Sequence, residues 1–309
     1  MNSLVELAEV QQSISLKNIA LATDFSEASD KAFEYATAIA GCYQSKLHVV
    51  HAIPAAPSLL PTLFEHDQLE QQSEQRMYDL STRSELKALT HQLLVRTGSV
   101  WTVLSHVIHD EKIDLLVLGT HGWGGFKKAV LGSVAEEIVR LSPCAVMTIG
   151  PNTIAPPDFD GEFHRILFAT SFGTASEKAL PYALFFAKPS RAKLILLHVL
   201  PPTPYPTPGV GLKAHERIQE WRDEQTAVIK AKLEELLPSG EVLECEPEYV
   251  VGFDLLFQGI LSAATEHQPD LIVMGAKRAL SSKTIAHMPW TVMHEVMCHA
   301  KCPVLTVRA

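Results

Sequence analysis

The chain has 309 residues, which is enough for two domains of ordinary size. Hydrophobic residues make up 47% of it and charged residues 20%, so its composition excludes an intrinsically disordered protein. The formal net charge is −9, which excludes a broad basic surface for nucleic acid or for an anionic membrane. We therefore expect no nucleic-acid partner.

Two further features of the sequence concern location. Residues 1–16 contain no Lys or Arg and no long apolar run, and runs such as 115–118 and 271–274 are far shorter than the ~18 residues of a membrane span. The 5 cysteines are an odd number without a CxxC pair, which favours free thiols in a reducing compartment. We expect a cytoplasmic protein that does not contact a membrane.

The chain contains an internal repeat. Residues 18–54 align without a gap to residues 165–201, and 15 of the 37 aligned positions are identical. The ends of the two halves agree as well, because 114–119 matches 270–275 and 144–148 matches 302–306. The sequence therefore predicts two copies of one fold, over 1–150 and 164–309, joined by a linker over 151–163 that is rich in Pro and Gly.

Within the first copy, short apolar runs alternate with longer segments in chain order. The predicted elements are a strand over 19–23, a helix opening at Ser26, a strand over 47–53, a polar segment over 63–89, a strand over 92–96, a helix over 99–110, a strand over 114–119, a helix over 133–141 and a strand over 144–149. Strands that are apolar on both faces and separated by helices predict a parallel α/β sheet covered on both sides. Its ligand crevice is expected at the carboxyl ends of the strands.

A glycine-rich loop follows the fourth predicted strand. Gly119 and Gly122 allow backbone to approach a ligand, while Gly132 and Ser133 stand at the start of a helix whose free N–H groups attract an anion. A polyphosphate fits this chemistry. Taken alone, such glycines are better explained by a tight turn between strand and helix.

Three segments together carry a resemblance to a known family. They are the spacing G-x2-G-x9-G-[ST] at Gly119, Gly122, Gly132 and Ser133, the segment 22–26 after the first strand, and Val50–Ala52 at the end of the second. In these segments the chain resembles the ATP-binding class of universal stress proteins, and as two tandem copies the resemblance covers nearly the whole chain. It implies two five-stranded parallel α/β sandwiches, Rossmann-like and of the adenine nucleotide alpha hydrolase-like type.

The resemblance also implies a site for ATP and Mg²⁺ in the first copy. Thr23 and Asp24 would border the adenosine and the phosphate–metal region, with Asp24 as the metal ligand, and Ala52 would contact the adenine through its backbone. The implied nucleotide-binding residues are Ala22, Thr23, Asp24, Ala52, Gly119, His121, Gly122, Gly132, Ser133 and Val134.

The second copy departs from this pattern where the phosphates are expected. Ser171 replaces Asp24, Arg278 replaces Gly122, and Trp290-Thr291 falls near the position of Gly132-Ser133. A large side chain in place of a glycine blocks a close ligand, so we expect no ATP here in the family manner. An alternative is a different anion site formed by Lys277, Arg278 and Lys283.

Other groups of residues favour structure over chemistry. His294 and Cys298 lie one helical turn apart, which is a metal-ligand spacing, but Cys302 matches Cys144 as the residue that enters the last strand. His51 and the matching His198 are expected to be structural histidines at strand ends.

No motif of a nucleotide-dependent enzyme is present: the sequence lacks S-G-G-x-D-S, H-x-G-H, G-x-x-x-x-G-K-[ST] and G-x-S-x-G. We therefore expect an ATP-binding regulatory or signalling module of the stress response, with the last strands of the two copies paired as an intramolecular pseudo-dimer. Alternatives left open are a slow ATPase and a scaffold that does not use nucleotide. The association of two chains and the identity of a protein partner also stay open.

Overall fold

A computed structural model describes residues 14–54, 63–120, 132–154, 156, 158–202, 212–238, 243–276 and 287–309, with only the backbone described for 63–66, 212–214 and 287–291. Within these residues each half has five strands. The first half contains β1 (Asn18–Ala22), α1 (Glu27–Tyr43), β2 (Lys46–Ile53), α2 (Leu63–Ser81), α3 (Ser84–Lys87), β3 (His91–Thr97), α4 (Val100–Asp110), β4 (Leu115–Gly119), α5 (Ser133–Leu141) and β5 (Ala145–Ile149). The second half contains β6 (Arg165–Ala169), α6 (Thr174–Ala187), β7 (Lys193–Leu200), α7 (Leu212–Glu234), β8 (Glu248–Phe253), α8 (Leu256–His267), β9 (Leu271–Ala276), α9 (His287–His299) and β10 (Val304–Arg308).

The strands form a single ten-stranded sheet in the order β3-β2-β1-β4-β5-β10-β9-β6-β7-β8. Neighbouring strands within each half are parallel, and each half therefore has the α/β fold with a parallel sheet that the sequence predicts. Helices cover both faces because the central strands are apolar on both sides. None of the helices in the described part of the chain is long and apolar enough to cross a membrane.

Local sequence explains where α1 begins. Ser26 has an extended backbone, and its side chain accepts a hydrogen bond from the Ser29 N–H, which caps the helix. Apolar residues then recur at helical spacing and are buried against the sheet at Ala32, Ala36 and Ile39. This packing fixes the amino end of α1 beside the carboxyl end of β1.

The two halves meet at their last strands. β5 and β10 pair antiparallel, with Val304 opposite Thr148 and Thr306 opposite Val146. The two threonines contribute matching bonds, since Thr148 donates to the Val304 carbonyl and Thr306 donates to the Val146 carbonyl. The last strands are thus paired within one chain, as the sequence predicts, and neither is left as an open edge.

An aromatic cluster adds a second contact between the halves. Tyr43, at the end of α1, stacks on Phe185 at a centroid distance of 5.0 Å and meets Phe186 edge-on at 5.8 Å. Phe163 lies between the halves in sequence, is fully buried and packs edge-on against Phe186 at 5.5 Å. These rings join α1 of the first half to α6 of the second.

Candidate functional site

The candidate site lies at the carboxyl ends of β1, β2 and β4. β1 pairs with β2 on one side and with β4 on the other, so the chain winds away from β1 in both directions. In sheets of this kind the crevice for a ligand opens where the winding reverses. Those predicted residues that the structure describes lie at these strand ends or at the amino end of α5.

The turn between β1 and α1 places Thr23 and Asp24. Thr23 is buried; its hydroxyl donates to Ser29 Oγ at 3.1 Å and accepts from the Phe25 N–H at 3.0 Å. Asp24 Oδ1 accepts from the Ser26 N–H at 3.0 Å and from the Ser26 hydroxyl. The carboxylate is therefore held in a fixed direction by the residue that caps α1.

Ala22 and Ala52 lie at the carboxyl ends of the neighbouring strands β1 and β2. Both are partly exposed, and both pack against the core cluster that is formed with α4 and α5. Both side chains are small, and they lie on the face of the sheet that α4 and α5 cover.

The structure gives Gly119 a packing role. A Cβ atom built at this residue would lie 2.7 Å from the carbonyl oxygen of Ala28 in the first turn of α1. Gly275 holds the matching position in the second half, and a Cβ atom placed there would lie 2.3 Å from the carbonyl carbon of Ala175. Both halves therefore need a glycine here for helix packing, and a contact of Gly119 with a ligand stays a prediction.

The amino end of α5 carries three more predicted residues. Gly132 is the N-cap, its N–H donates to the Thr120 carbonyl at 2.9 Å, and no side chain in the described part of the chain caps the helix. Ser133 and Val134 follow as exposed residues of the first turn. The first turn of a helix leaves amide groups that no carbonyl of the helix accepts, so this end is suited to an anion. His121 and Gly122 lie outside the described residues.

The second half differs from the first at both of these places. Ser171 occupies the position of Asp24, and its N–H and hydroxyl both lie within hydrogen-bond distance of Ser176 Oγ. When Cys302 is matched with Cys144, α9 and α5 end at equivalent residues, but α9 has 13 residues and α5 has 9. Thr291, which matches Ser133, therefore lies inside a helix, where its N–H faces a carbonyl of the preceding turn. Lys277, Arg278 and Lys283 are outside the described residues.

His51 and His198 both bond to backbone. His51 Nδ1 lies 2.8 Å from the Thr23 carbonyl oxygen and His198 Nδ1 lies 2.9 Å from that of Thr170. Burial lowers the pKa of both imidazoles, which are thus neutral near pH 7. These contacts fit the structural role that the sequence analysis expects.

The histidines and cysteines near the carboxyl terminus do not form a cluster of metal ligands. Cys298 Sγ is 4.0 Å from His294 Nδ1. Burial raises the pKa of Cys302 to about 12 and that of Cys144 to about 11, so both are protonated thiols near neutral pH. Among the described residues, no three His, Cys, Asp or Glu side chains are grouped so that they could hold a metal ion.

One feature of the site was not expected from the sequence. Phe25 has a positive φ of 59°, and Phe172 in the second half has one of 55°. The left-handed region is uncommon for a bulky side chain, so the surrounding contacts must hold these turns. The recurrence of Phe after Thr-Asp and Thr-Ser at matching positions is the signal that could have revealed it.

The parallel sheet of each half, covered by helices on both faces, defines a class of α/β protein, and comparison with known proteins gives the family. The model of the universal stress protein family matches residues 15–150 and again 162–308. The chain belongs to this family, as two copies of its domain in tandem.

Individual relatives agree with this assignment. The chain is 33% identical over 138 residues to the universal stress protein in the QAH/OAS sulfhydrylase 3′ region of Thermus aquaticus, an alignment that covers 43% of this chain and 98% of that one. A universal stress protein from Archaeoglobus fulgidus has a similar fold at 20% identity, with a TM-score of 0.68 and coverage of 96% and 97%. A functionally unknown protein from Pseudomonas aeruginosa gives 15% identity, a TM-score of 0.59 and coverage of 96% and 94%.

Proposed function

We propose that the first half of this chain binds ATP with Mg²⁺ and that the protein acts as a nucleotide-responsive regulatory module of the stress response. The observation that carries the proposal is the difference between the halves at the strand ends. The first half presents a carboxylate, Asp24, and a helix start at Gly132 without a side-chain cap. The second half presents Ser171, and its helix begins one turn earlier.

The residues of the first half fit such a ligand. Mg²⁺ is commonly held by one or two carboxylates together with phosphate oxygens, and Asp24 offers a carboxylate that is already oriented by Ser26. The amide groups of Ser133 and Val134 at the start of α5 suit a phosphate. Ala22 and Ala52, which are small and partly exposed at the ends of β1 and β2, would lie against the adenine. When bound, the metal would neutralise phosphate charge at this edge.

The proposal concerns binding and regulation rather than turnover. The side chains around Asp24 hold the turn in place, and His51, the nearby base, has its Nδ1 on the Thr23 carbonyl. We place the competent site in the domain over 1–150 and treat 164–309 as the partner domain that does not bind ATP in the same way, joined by 151–163.

The test begins with the purified full chain. After exhaustive desalting, the protein is denatured and the released nucleotide is identified by chromatography and counted per chain. We expect up to one ATP per chain, and we expect added Mg-ATP at ~100 times its Kd to stabilise the fold by ~2.7 kcal/mol.

A variant that copies the second half sharpens the test. Asp24→Ser should weaken Mg-ATP binding while the matched control Ser171→Ala leaves it unchanged. If the wild type releases no nucleotide and shows no thermal shift with Mg-ATP, the function is that of a scaffold. Release of ADP from added ATP in proportion to the protein would instead indicate the slow ATPase.

A further inference from the structure

The side chain of His51 contacts the residues on both sides of Asp24. Its Nδ1 lies 2.8 Å from the carbonyl oxygen of Thr23, and its ring centroid lies 4.5 Å from that of Phe25. Phe25 occupies the left-handed region, which is costly for a bulky residue and persists only where contacts hold it. The residue between the two contacts is Asp24, so the histidine supports the stretch of backbone that carries this carboxylate.

Ser73 of α2 in turn orients the histidine. A carbonyl oxygen can only accept, so Nδ1 of His51 carries the proton and Nε2 of the neutral ring is an acceptor. Ser73 is buried, and its Oγ lies 3.3 Å from Nε2, which makes the serine hydroxyl the donor. The ring is therefore held at both nitrogens, once by Thr23 in the turn after β1 and once by Ser73 of α2.

The second half contains the same arrangement around a different residue. His198 Nδ1 is 2.9 Å from the Thr170 carbonyl oxygen, and its ring lies 4.6 Å from that of Phe172, which also has a positive φ. The residue held between these contacts is Ser171. The support is thus repeated in both halves, while only the first half uses it to present a carboxylate.

We propose that His51, aligned by Ser73, is a positioning residue that fixes the carboxylate of Asp24 for the metal and phosphates of a bound nucleotide. The proposal rests on the proposed function of the first half. It assigns to α2, which contributes none of the predicted nucleotide-binding residues, an indirect part in the affinity of the site.

The second half provides a matched control. Both His51→Ala and His198→Ala remove a bond to a threonine carbonyl and a contact with a phenylalanine ring, and His51→Ala also removes the bond to Ser73. We expect them to lower the melting temperature by comparable amounts. Only His51→Ala should weaken Mg-ATP binding, by at least about tenfold. The reason is that the charged carboxylate of Asp24 would no longer be aimed at the metal and phosphates. The change in His198→Ala should stay below about twofold. Binding is measured by titration calorimetry on the full chain.

Conservative variants separate positioning from general stability. His51→Asn keeps an N–H donor near the place of Nδ1 and should recover most of the affinity, whereas His51→Gln places its donor near Nε2 and should not. Ser73→Ala keeps the bond to Thr23 and should weaken binding by only about two- to fivefold. His51→Asn and Ser73→Ala also cover the case in which His51→Ala does not fold.

A measurement without nucleotide tests the same role. The Phe25 N–H is bonded to Thr23 Oγ1, and the Phe172 N–H is bonded to Thr170 Oγ1. Amide hydrogen exchange should become faster at Phe25 in His51→Ala and at Phe172 in His198→Ala. In each variant, exchange at the phenylalanine of the other half should stay unchanged.

The outcomes distinguish the two proposals. If the wild type binds Mg-ATP and His51→Ala binds it with equal affinity, the positioning role is wrong and the proposed function stands. Unchanged exchange at Phe25 in His51→Ala would also overturn the positioning role. If the wild type does not bind Mg-ATP at all, the proposed function fails, and the positioning role for nucleotide fails with it.

Discussion

Replacing Gly275 by Ala tests whether the glycine at the end of the fourth strand of each half is required for packing. The new Cβ would lie 2.3 Å from the carbonyl carbon of Ala175, 2.4 Å from its oxygen and 2.6 Å from the Ser176 nitrogen. All three atoms belong to the backbone at the start of α6. No side-chain rotation can therefore relieve the contact, and α6 must move away from β9.

The magnitude follows from these distances. Overpacking of a dense interior costs about 1–3 kcal/mol, and a contact this short with three atoms of one peptide group belongs at about 3 kcal/mol. Alanine also restricts the unfolded chain more than glycine does, which returns about 0.5–1 kcal/mol. We expect a net loss of about 2 kcal/mol in the free energy of unfolding. For a domain of this size that corresponds to a fall of about 4–8 °C in Tm.

The assay is thermal unfolding followed by circular dichroism and calorimetry, with Gly252→Ala as the control. A Cβ at Gly252 would meet Val199 Cγ2 at 3.5 Å, which is an ordinary contact, so this variant should be neutral or slightly more stable. If Gly275→Ala melts within about 1 °C of Gly252→Ala, the packing argument is refuted. The result bears on the candidate site, because a Cβ at Gly119 would also meet helix backbone. If packing alone requires this glycine, loss of nucleotide binding in Gly119→Ala would not demonstrate a ligand contact.

Two other predictions concern stability. The side chain of His48 is fully buried, and burial lowers its pKa. The unfolded chain therefore binds the proton more readily than the folded chain. The free energy of unfolding should be at its full value above about pH 6.5 and should fall as the pH drops below it. Urea unfolding at several pH values measures this, and an equal pH dependence in His48→Gln would contradict it. Tyr43→Phe should be neutral or stabilising, because the buried hydroxyl has no hydrogen-bond partner among the described residues, whereas Tyr43→Leu should cost about 1–3 kcal/mol by removing two ring contacts. Equal loss in both variants of Tyr43, measured by urea unfolding, would argue against this account.

Local sequence was sufficient for most of the elements. The strands of the first half were predicted within one residue at each end, since each is a short apolar run bounded by polar or glycine residues. The start of α1 at Ser26 and that of α4 after Ser99 follow from residues that cap the next turn. The predicted polar segment over 63–89 contains α2 and α3.

The candidate site was only partly readable in this way. The sequence places Thr23, Asp24 and Ala52 directly after or at the end of strands, and parallel strands bring such residues to one edge of the sheet. It does not reveal that Ser73 reaches His51, because α2 is polar over most of its length and nothing in its pattern marks one serine. It also could not separate a glycine that packs against a helix from one that contacts a ligand.

The sequence by itself determined that the chain is a tandem repeat, which family it resembles, and where the second copy loses the predicted ligand residues. These are properties of residue identity and spacing. The tertiary structure decided what depends on residues far apart in the chain: that Gly119 meets Ala28, that His51 supports the turn of Asp24, and that β5 and β10 complete one sheet. Contacts of this kind form only when the whole fold brings the partners together, and no local pattern encodes the distance between them.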